Sequence, residues 1–316
     1  MRHWLLYIIC SSGIYIATAQ NNMHFSQYML NPSYLNPSWI GQQEQGQLFL
    51  QHSTKWLGYT TSFDGSGGNP NSQLFTLTVP VKNFIISSAG VNFSNDMLGG
   101  ISNINLEIPI SVPVRLKNGV LNVGVAPGVF TQSMNADFRY NDPGDSKIPV
   151  GGVIQSKPNL SAGLFYQARN NWFLGLGVIN MIQPGVDYGL EIVNKQSLTT
   201  SIHGGLEMVV RDEIKIQPNF IVRSDFYSYS FDIGVNTSIN EKIWAGLSYR
   251  DQEALVFMVG YGLMQNERLK VHYAFDLVTS NREAKSSTSH ELILSYSLPE
   301  LVIGGRKSIK TPRFTY

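Results

Sequence analysis

The 316-residue chain has only 14% charged residues, with 11% aromatic residues and 29 glycines. Its formal net charge is +1, from 23 lysines and arginines against 22 acids, and the basic residues are scattered. Nucleic-acid-binding surfaces need clustered basic residues, so this composition argues against nucleic acid as a partner. A mean hydropathy of −0.07 is too polar for a bundle of membrane helices.

Residues 1–19 have the pattern of a secretory signal peptide. A short basic start precedes the apolar stretch from Trp4 to Ile16, and Ala17-Thr18-Ala19 fits the small-x-small cleavage pattern. The alternative is an uncleaved anchor helix, which the short length of the apolar stretch disfavours. The only cysteine, Cys10, lies inside this segment, so we expect no disulfide in the mature chain.

Residues 20–46 form a leader ahead of the first predicted strand. Asn31-Pro32 and Asn36-Pro37 interrupt its backbone, because the residue before a proline is disfavoured in the helical region. The simplest interpretation is a looped leader. The alternative is a segment that enters the mouth of the following domain or docks a periplasmic partner through its aromatic residues. The candidate docking residues are Phe25, Gln27, Tyr28, Asn31, Pro32, Asn36, Pro37 and Trp39.

Residues 47–298 contain about fourteen strand-length segments with alternating apolar and polar residues. Alternation at period two gives a strand one apolar and one polar face. Many segments approach 10 residues, the length a tilted strand needs to cross a bilayer, whereas strands in soluble proteins usually have about 5 to 6. The sequence therefore predicts an all-β, antiparallel transmembrane β-barrel in outer-membrane lipid. The predicted strands are 47–56, 72–81, 84–94, 101–112, 119–134, 159–169, 171–182, 197–210, 213–224, 229–239, 241–250, 253–264, 267–278 and 288–297.

The connections alternate between short polar turns and longer loops. Bacterial barrels place short turns in the periplasm and longer loops outside the cell. The predicted extracellular loops are 57–71, 135–158, 183–196 and 279–289. Loop 135–158 carries Asp137, Asp142 and Asp145, but their spacing matches no calcium loop, so we predict no metal site.

The polar faces of the late strands predict a charged lumen. Both signs of charge are present, so a network that braces or partly closes the interior is one interpretation, and a solvated pore wall is the other. The candidate lumen residues are His203, Glu207, Lys215, Arg223, Asp232, Lys270, His272, Asp276 and Glu291. Ser289-His290-Glu291 does not predict a catalytic triad, because neighbours in a strand point to opposite faces. We predict no enzyme activity and no cofactor.

The leader carries a family resemblance. The segment from Phe25 to Gly41, FSQYMLNPSYLNPSWIG, resembles the N-terminal signature of the PorP/SprF family of the type IX secretion system of Bacteroidetes. Further matches follow in the same order along the chain. They are Lys55 to Gly58, Asn95-Asp96 with Gly99, Lys157-Pro158, Gln183-Pro184, Trp244 to Arg250 and Ser289 to Tyr296. Ser53 stands where the family leads us to expect an arginine, and Val271 to Asp276 also departs from the pattern.

The resemblance implies an outer-membrane barrel, of roughly fatty-acid-transporter shape, that serves type IX secretion and gliding motility. Members associate with periplasmic ring or peptidoglycan-linked lipoproteins, and some serve a secreted adhesin through its C-terminal sorting domain. Loops 57–71 and 135–158 would then meet the cargo, and the periplasmic turns and the leader would meet the machinery. The basic tail, 299–316, would lie in the periplasm, either on an acidic partner or disordered.

Two other functions remain open from the sequence. A transporter for a small hydrophobic solute would have an apolar pocket in the lumen or a lateral opening in the wall. A purely structural anchor between outer membrane and cell wall would have a plugged lumen.

Overall fold

The computed structural model describes residues 23–59, 68–81, 85–134, 152–187, 193–264, 267–280 and 285–299. It is a closed antiparallel barrel of fourteen spanning strands. The barrel closes where the first strand pairs with the last, from Gln47 opposite Ser297 to Thr54 opposite His290. The strands are β1 (Gln47–Thr54), β2 (Asn71–Pro80), β3 (Ser88–Leu98), β4 (Ile101–Glu107), β5 (Ile110–Leu116), β6 (Gly119–Met134), β7 (Val153–Ala168), β8 (Trp172–Ile179), β9 (Gly185–Asp187), β10 (Val193–Lys195), β11 (Thr199–Leu206), β12 (Met208–Arg211), β13 (Ile214–Ser224), β14 (Tyr229–Ile239), β15 (Ile243–Arg250), β16 (Ala254–Leu263), β17 (Leu269–Val278) and β18 (Thr288–Ser297).

Two of the fourteen spanning strands are interrupted. β4 and β5 form one strand with a break at Ile108-Pro109, and β11 and β12 form another with a break at Glu207. At the first break, Ile108 N–H donates to the carbonyl of Pro127, and Gly90 N–H donates to the carbonyl of Pro109, each at 2.9 Å. The backbone ladder therefore continues across a position where proline cannot donate.

The predicted fold class and the count of about fourteen strands are confirmed. Several predicted bounds were wrong, among them two strand ends: β3 ends at Leu98 rather than 94, and β5 ends at Leu116 rather than 112. β7 begins at Val153 rather than 159, because its first residues pair with the end of β6 at Met134. β3 begins at Ser88 rather than 84, and the predicted loop 183–196 contains the hairpin β9–β10. The predicted signal peptide, the three acids of loop 135–158 and residues 300–316 of the tail lie outside the described residues.

The outer surface of the barrel carries the apolar face of each strand. Leu247 is 46% exposed and Val259 is 58% exposed, although both are large apolar residues. Trp172 and Tyr261 lie near the short-turn end, and Tyr249 lies near the other end, as in the aromatic girdles that flank the lipid-facing band of such barrels. We place the short-turn end in the periplasm, as in bacterial barrels.

The core of the protein lies inside the barrel, where the leader packs against the wall. Two short 3-10 helices, Pro32–Tyr34 and Pro37–Gln42, are the regular structure of the leader. Its apolar side chains form clusters with inward-facing residues of the wall. These clusters join Phe25, Tyr28, Tyr34 and Leu35 to Leu74 and Ile221, and Trp39 and Ile40 to Phe49, Phe165 and Ile293. Within the described ranges, no helix is long and apolar enough to cross a bilayer.

Candidate functional site: a lumen filled by the leader

The leader contains a tandem repeat, Leu-Asn-Pro-Ser-aromatic, at residues 30–34 and 35–39. Both copies fold in the same way, as a proline-initiated 3-10 turn preceded by asparagine. The asparagine Oδ1 accepts a hydrogen bond from the serine hydroxyl two residues later, at 2.6 Å from Ser33 to Asn31 and 2.5 Å from Ser38 to Asn36. Each Asn-Pro pair therefore sets the start of a turn.

The side-chain Nδ2 of each asparagine donates a hydrogen bond to the barrel wall. Asn31 Nδ2 donates to Thr76 Oγ1 on β2 at 3.0 Å, and Asn36 Nδ2 donates to the carbonyl of Leu164 on β7, also at 3.0 Å. Asn92 Nδ2 on β3 also donates to the backbone carbonyl of Ser33 at 3.2 Å. The two repeats thus tie the leader to different sides of the barrel.

A row of glycines brings the leader against the wall. Gly124 on β6, Gly163 on β7 and Gly177 on β8 lie side by side in the strand register. A Cβ on any of them would overlap the leader between Leu35 and Ser38. Serines flank the row in register and donate to leader carbonyls, Ser111 to Ser38 at 3.3 Å and Ser201 to Leu35 at 3.4 Å. This close approach requires glycine.

A charge cluster, formed by Arg223, Asp232, Arg250, Glu253 and Asp276, lies near the extracellular end of the lumen. Arg250 Nε is 2.9 Å from Asp232 Oδ2, and Arg223 Nη1 is 3.2 Å from Asp232 Oδ1. Arg250 Nη1 also lies 3.7 Å from Asp276 and 3.6 Å from Glu253. Burial of charged groups is costly unless they are paired, and every member of the cluster has a partner of opposite charge within 3.7 Å.

Ser26 and Gln27 of the leader are hydrogen-bonded to acidic and basic side chains at this end of the lumen. Glu291 accepts hydrogen bonds from the backbone N–H groups of Ser26, at 2.7 Å, and Gln27, at 2.9 Å. The Ser26 hydroxyl donates to Asp276 Oδ2 at 2.6 Å and accepts from Arg250 Nη2 at 3.3 Å. These charge-assisted bonds are stronger than neutral ones.

Two carboxyl groups outside the strands have depressed pKa values. For Glu253, burial raises the pKa, but the positive charges of Arg250 and Lys55 outweigh this effect and hold it well below its usual value. At the periplasmic end, the hydrogen bond from Lys215 to Glu241, at 2.7 Å, lowers the pKa of Glu241. Both carboxylates are therefore ionised at neutral pH.

The predicted lumen residues fall into two groups. Six are buried inside the barrel: His203, Arg223, Asp232, His272, Asp276 and Glu291. Glu207, Lys215 and Lys270 instead line an open cavity of about 360 Å³ at the periplasmic end. Arg250, which is fully buried, was missed by the prediction. Its signal was present, because Trp244, Gly246, Ser248 and Arg250 form one face of an alternating strand.

The eight predicted docking residues are all buried within the barrel. Phe25, Gln27, Asn31 and Asn36 have no exposed surface, and Trp39 is 5% exposed. In this arrangement they contact the wall of their own barrel, and their docking of a partner stays a prediction. Asn31 and Asn36 were selected from the Asn-Pro steps, but nothing local in the sequence indicates which strand each would reach.

The fold and the filled lumen define an outer-membrane β-barrel protein whose interior holds its own N-terminal leader. The family model of the type IX secretion system membrane protein PorP/SprF matches residues 17–296, and the chain belongs to this family. This confirms the resemblance seen in the leader. The protein is therefore an outer-membrane component of the type IX secretion system.

The solved structures to which the chain is similar are distant in sequence. The toluene transporter TbuX of Ralstonia pickettii is 10% identical, with 86% of this chain and 93% of that chain covered and a TM-score of 0.50. A FadL homologue of Pseudomonas aeruginosa is 14% identical, with 83% and 92% covered and a TM-score of 0.47. Omp33 of Acinetobacter baumannii is 7% identical, with 82% and 100% covered and a TM-score of 0.49. No curated protein sequence matches this chain.

Proposed function

We propose that this protein is a non-enzymatic attachment component that helps to export, or to hold at the cell surface, one large secreted adhesin with a C-terminal sorting domain. The observation that carries the proposal is the leader inside the barrel, together with membership of the PorP/SprF family. A lumen filled by buried, hydrogen-bonded chain is not a conduit for a polypeptide. The protein would therefore act through the surfaces at its two ends.

The two ends would have different partners. Loops 57–71 and 135–158 would meet the secreted cargo outside the cell. The periplasmic turns would meet ring or peptidoglycan-linked lipoproteins of the machinery. The leader would meet the same machinery only when residues 23–42 leave the lumen, because these residues are otherwise engaged with the wall.

Transport of a small hydrophobic solute is the second candidate function. One observation favours it, a partly aromatic cavity of about 200 Å³ beside the leader. Two observations argue against it. The backbone ladder continues across the break at Ile108-Pro109, so this part of the wall has no lateral opening, and the outer half of the lumen contains the charge cluster.

A deletion strain tests the proposal. Mass spectrometry would compare secreted and surface proteins of the wild type, the deletion strain and the deletion strain complemented with the intact chain. Loss of one or a few large proteins with C-terminal sorting domains, restored by complementation, is the expected result. Loss of all type IX cargo would instead make the protein a core part of the machine. An unchanged set of secreted proteins would refute the secretion role and leave solute uptake as the next function to test.

A further inference from the structure

A cavity of about 200 Å³ lies between the leader and the wall formed by β7, β8, β11 and β13. Tyr28 and Trp39 border it from the leader, and Phe165, Phe173 and His203 border it from the wall. Its periplasmic side is marked by Asn171, which lies in the turn between β7 and β8. The cavity thus touches both the barrel and the segment that fills it.

The lining combines aromatic surface with neutral hydrogen-bonding groups. Phe165 and Phe173 stack with their ring centroids 5.6 Å apart, and His203 lies 5.9 Å from Phe165. Neither ring nitrogen of His203 has a hydrogen-bond partner among the described residues, although the side chain is buried. A buried polar group without a partner is costly. Side-chain amides of Gln167, Gln217 and Asn219 complete the polar part.

The charge of the lining restricts the ligand. Among the described residues that line the cavity there is no lysine or arginine, and Glu207 is the one acid. An anionic ligand would have no counter-charge in this lining and would lie in the same cavity as the Glu207 carboxylate, which is electrostatically unfavourable. A cavity of about 150 Å³ with an apolar lining is known to bind benzene, so about 200 Å³ accommodates one ring with a small substituent.

We propose that this cavity binds a neutral, single-ring aromatic molecule with a hydroxyl group, that is, a small phenol. The ring would pack between Trp39 and the Phe165–Phe173 pair, and the hydroxyl would meet the amide and imidazole groups. The ligand is held rather than conducted, because the leader and the charge cluster occupy the lumen beyond the cavity. This site does not depend on the proposed attachment function.

Binding of this ligand stabilises the leader inside the barrel. Tyr28, Met29, Pro32 and Trp39 of the leader all border the cavity, so their withdrawal would destroy the site. A ligand that binds only when the leader is inside the barrel shifts the equilibrium toward that arrangement by mass action. The bound phenol therefore disfavours withdrawal of the leader from the barrel.

Fluorine NMR with 4-fluorophenol tests the proposal on the purified full-length barrel in detergent. We expect saturable broadening or a shifted bound signal with the wild type. Gln167→Trp fills the cavity from β7 and should abolish the effect. Gln47→Trp is the matched control, because it places the same side chain in the cavity of about 360 Å³ at the periplasmic end. The probe partitions into detergent equally with both variants, so a difference between them reports binding to the cavity. If Gln167→Trp does not fold, as judged by heat-modifiable migration in gels, Gln217→Trp enters the same cavity from β13.

Equal signals from the wild type and the cavity-filling variant would overturn the site. Two further probes test the ligand class. Fluorobenzene lacks the hydroxyl group and should bind at least tenfold more weakly than 4-fluorophenol, and 4-fluorobenzoate should not bind. Fluorobenzene binding as tight as that of 4-fluorophenol would refute the hydrogen-bonding role, and binding of 4-fluorobenzoate would refute the requirement for neutrality.

Discussion

The carboxylate of Glu291 on β18 accepts a hydrogen bond of 2.7 Å from the backbone N–H of Ser26, which lies 265 residues earlier in the chain. The contact joins the last strand of the barrel to the first part of the leader. It binds the backbone of the leader and so does not depend on which side chain position 26 carries. Substitution of Glu291 therefore tests directly whether this contact holds the leader inside the barrel.

We expect Glu291→Ala to release the outer part of the leader. The backbone N–H groups of Ser26 and Gln27 would lose their acceptor, and hydrogen bonds to a charged group contribute about 1.5 to 3 kcal/mol each. A loss of about 3 kcal/mol corresponds to roughly 100-fold more of the released state. The measurement is the rate of maleimide labelling of Gln27→Cys in the folded barrel, since position 27 has no exposed surface. Glu44→Ala, at an exposed position, is the control, and equal labelling of both variants would contradict the prediction.

Removal of the arginine at the centre of the charge cluster should destabilise the whole barrel. Arg250→Met would leave Asp232 and Asp276 with less compensation in a buried site, and breaking a buried pair typically costs about 3 to 5 kcal/mol. Urea unfolding followed by tryptophan fluorescence would report the change in free energy. The matched control is Arg268→Met, at an exposed position in a periplasmic turn, for which we expect a change within about 0.5 kcal/mol. A similar effect of both substitutions would show that the charge cluster has no special role.

Substitutions in the glycine row should displace the leader without breaking the wall. A Cβ on Gly163 would overlap the side chain of Asn36, so Gly163→Val should weaken binding of the leader by about 1 to 3 kcal/mol. Limited proteolysis would detect the loosened leader as faster cleavage between residues 23 and 42. Gly234→Val is the control, because the nearest atoms to a Cβ there belong to β15, at Leu247 and Ser248, and not to the leader. Equal protection of the leader in both variants would rule out the steric role of Gly163.

The Glu253 carboxylate should stabilise the barrel at neutral pH and lose this effect in acid. Its pKa is held below the usual value of 4.5 in the folded protein, because the charges of Arg250 and Lys55 outweigh the effect of burial. The unfolded chain therefore takes up the proton first as the pH falls, and the stabilisation is lost below about pH 4.5. The free energies of unfolding of the wild type and Glu253→Gln should differ at pH 7 and converge in acid. A difference that is constant from pH 7 to pH 3 would exclude this titration.

The barrel itself could be predicted because its signal is local. Each strand alternates at period two, and the turn residues between strands are visible over a few positions. This pattern was enough to predict about fourteen strands, with errors at strand ends, at the breaks within 101–112 and 197–210, and at the hairpin β9–β10. The extension of β7 to Val153 was missed because pairing with β6, rather than alternation, sets where that strand begins.

The inward faces of the strands could also be predicted, and with them the polar residues of the lumen. Alternation assigns a side chain to a face but says nothing of its partner. Arg250 and Asp232 are 18 residues apart, and Arg250 and Asp276 are further apart, so their meeting depends on strand order and register. The division into six buried residues and three that line the periplasmic cavity depends on where each position falls along the barrel axis.

The sequence by itself determined the alternation, the turns and the two Asn-Pro-Ser steps of the leader, because these depend on the geometry of neighbouring residues. Only the tertiary structure decided that the leader lies inside the barrel. Asn36 Oδ1 accepts a hydrogen bond from Ser38 within the leader, but Asn36 Nδ2 donates to Leu164 on β7, which lies 128 residues away in the chain. The glycines that make room for it are spread over three strands. Contacts of this kind leave no periodic pattern, since they arise only when the closed barrel encloses the chain that precedes it.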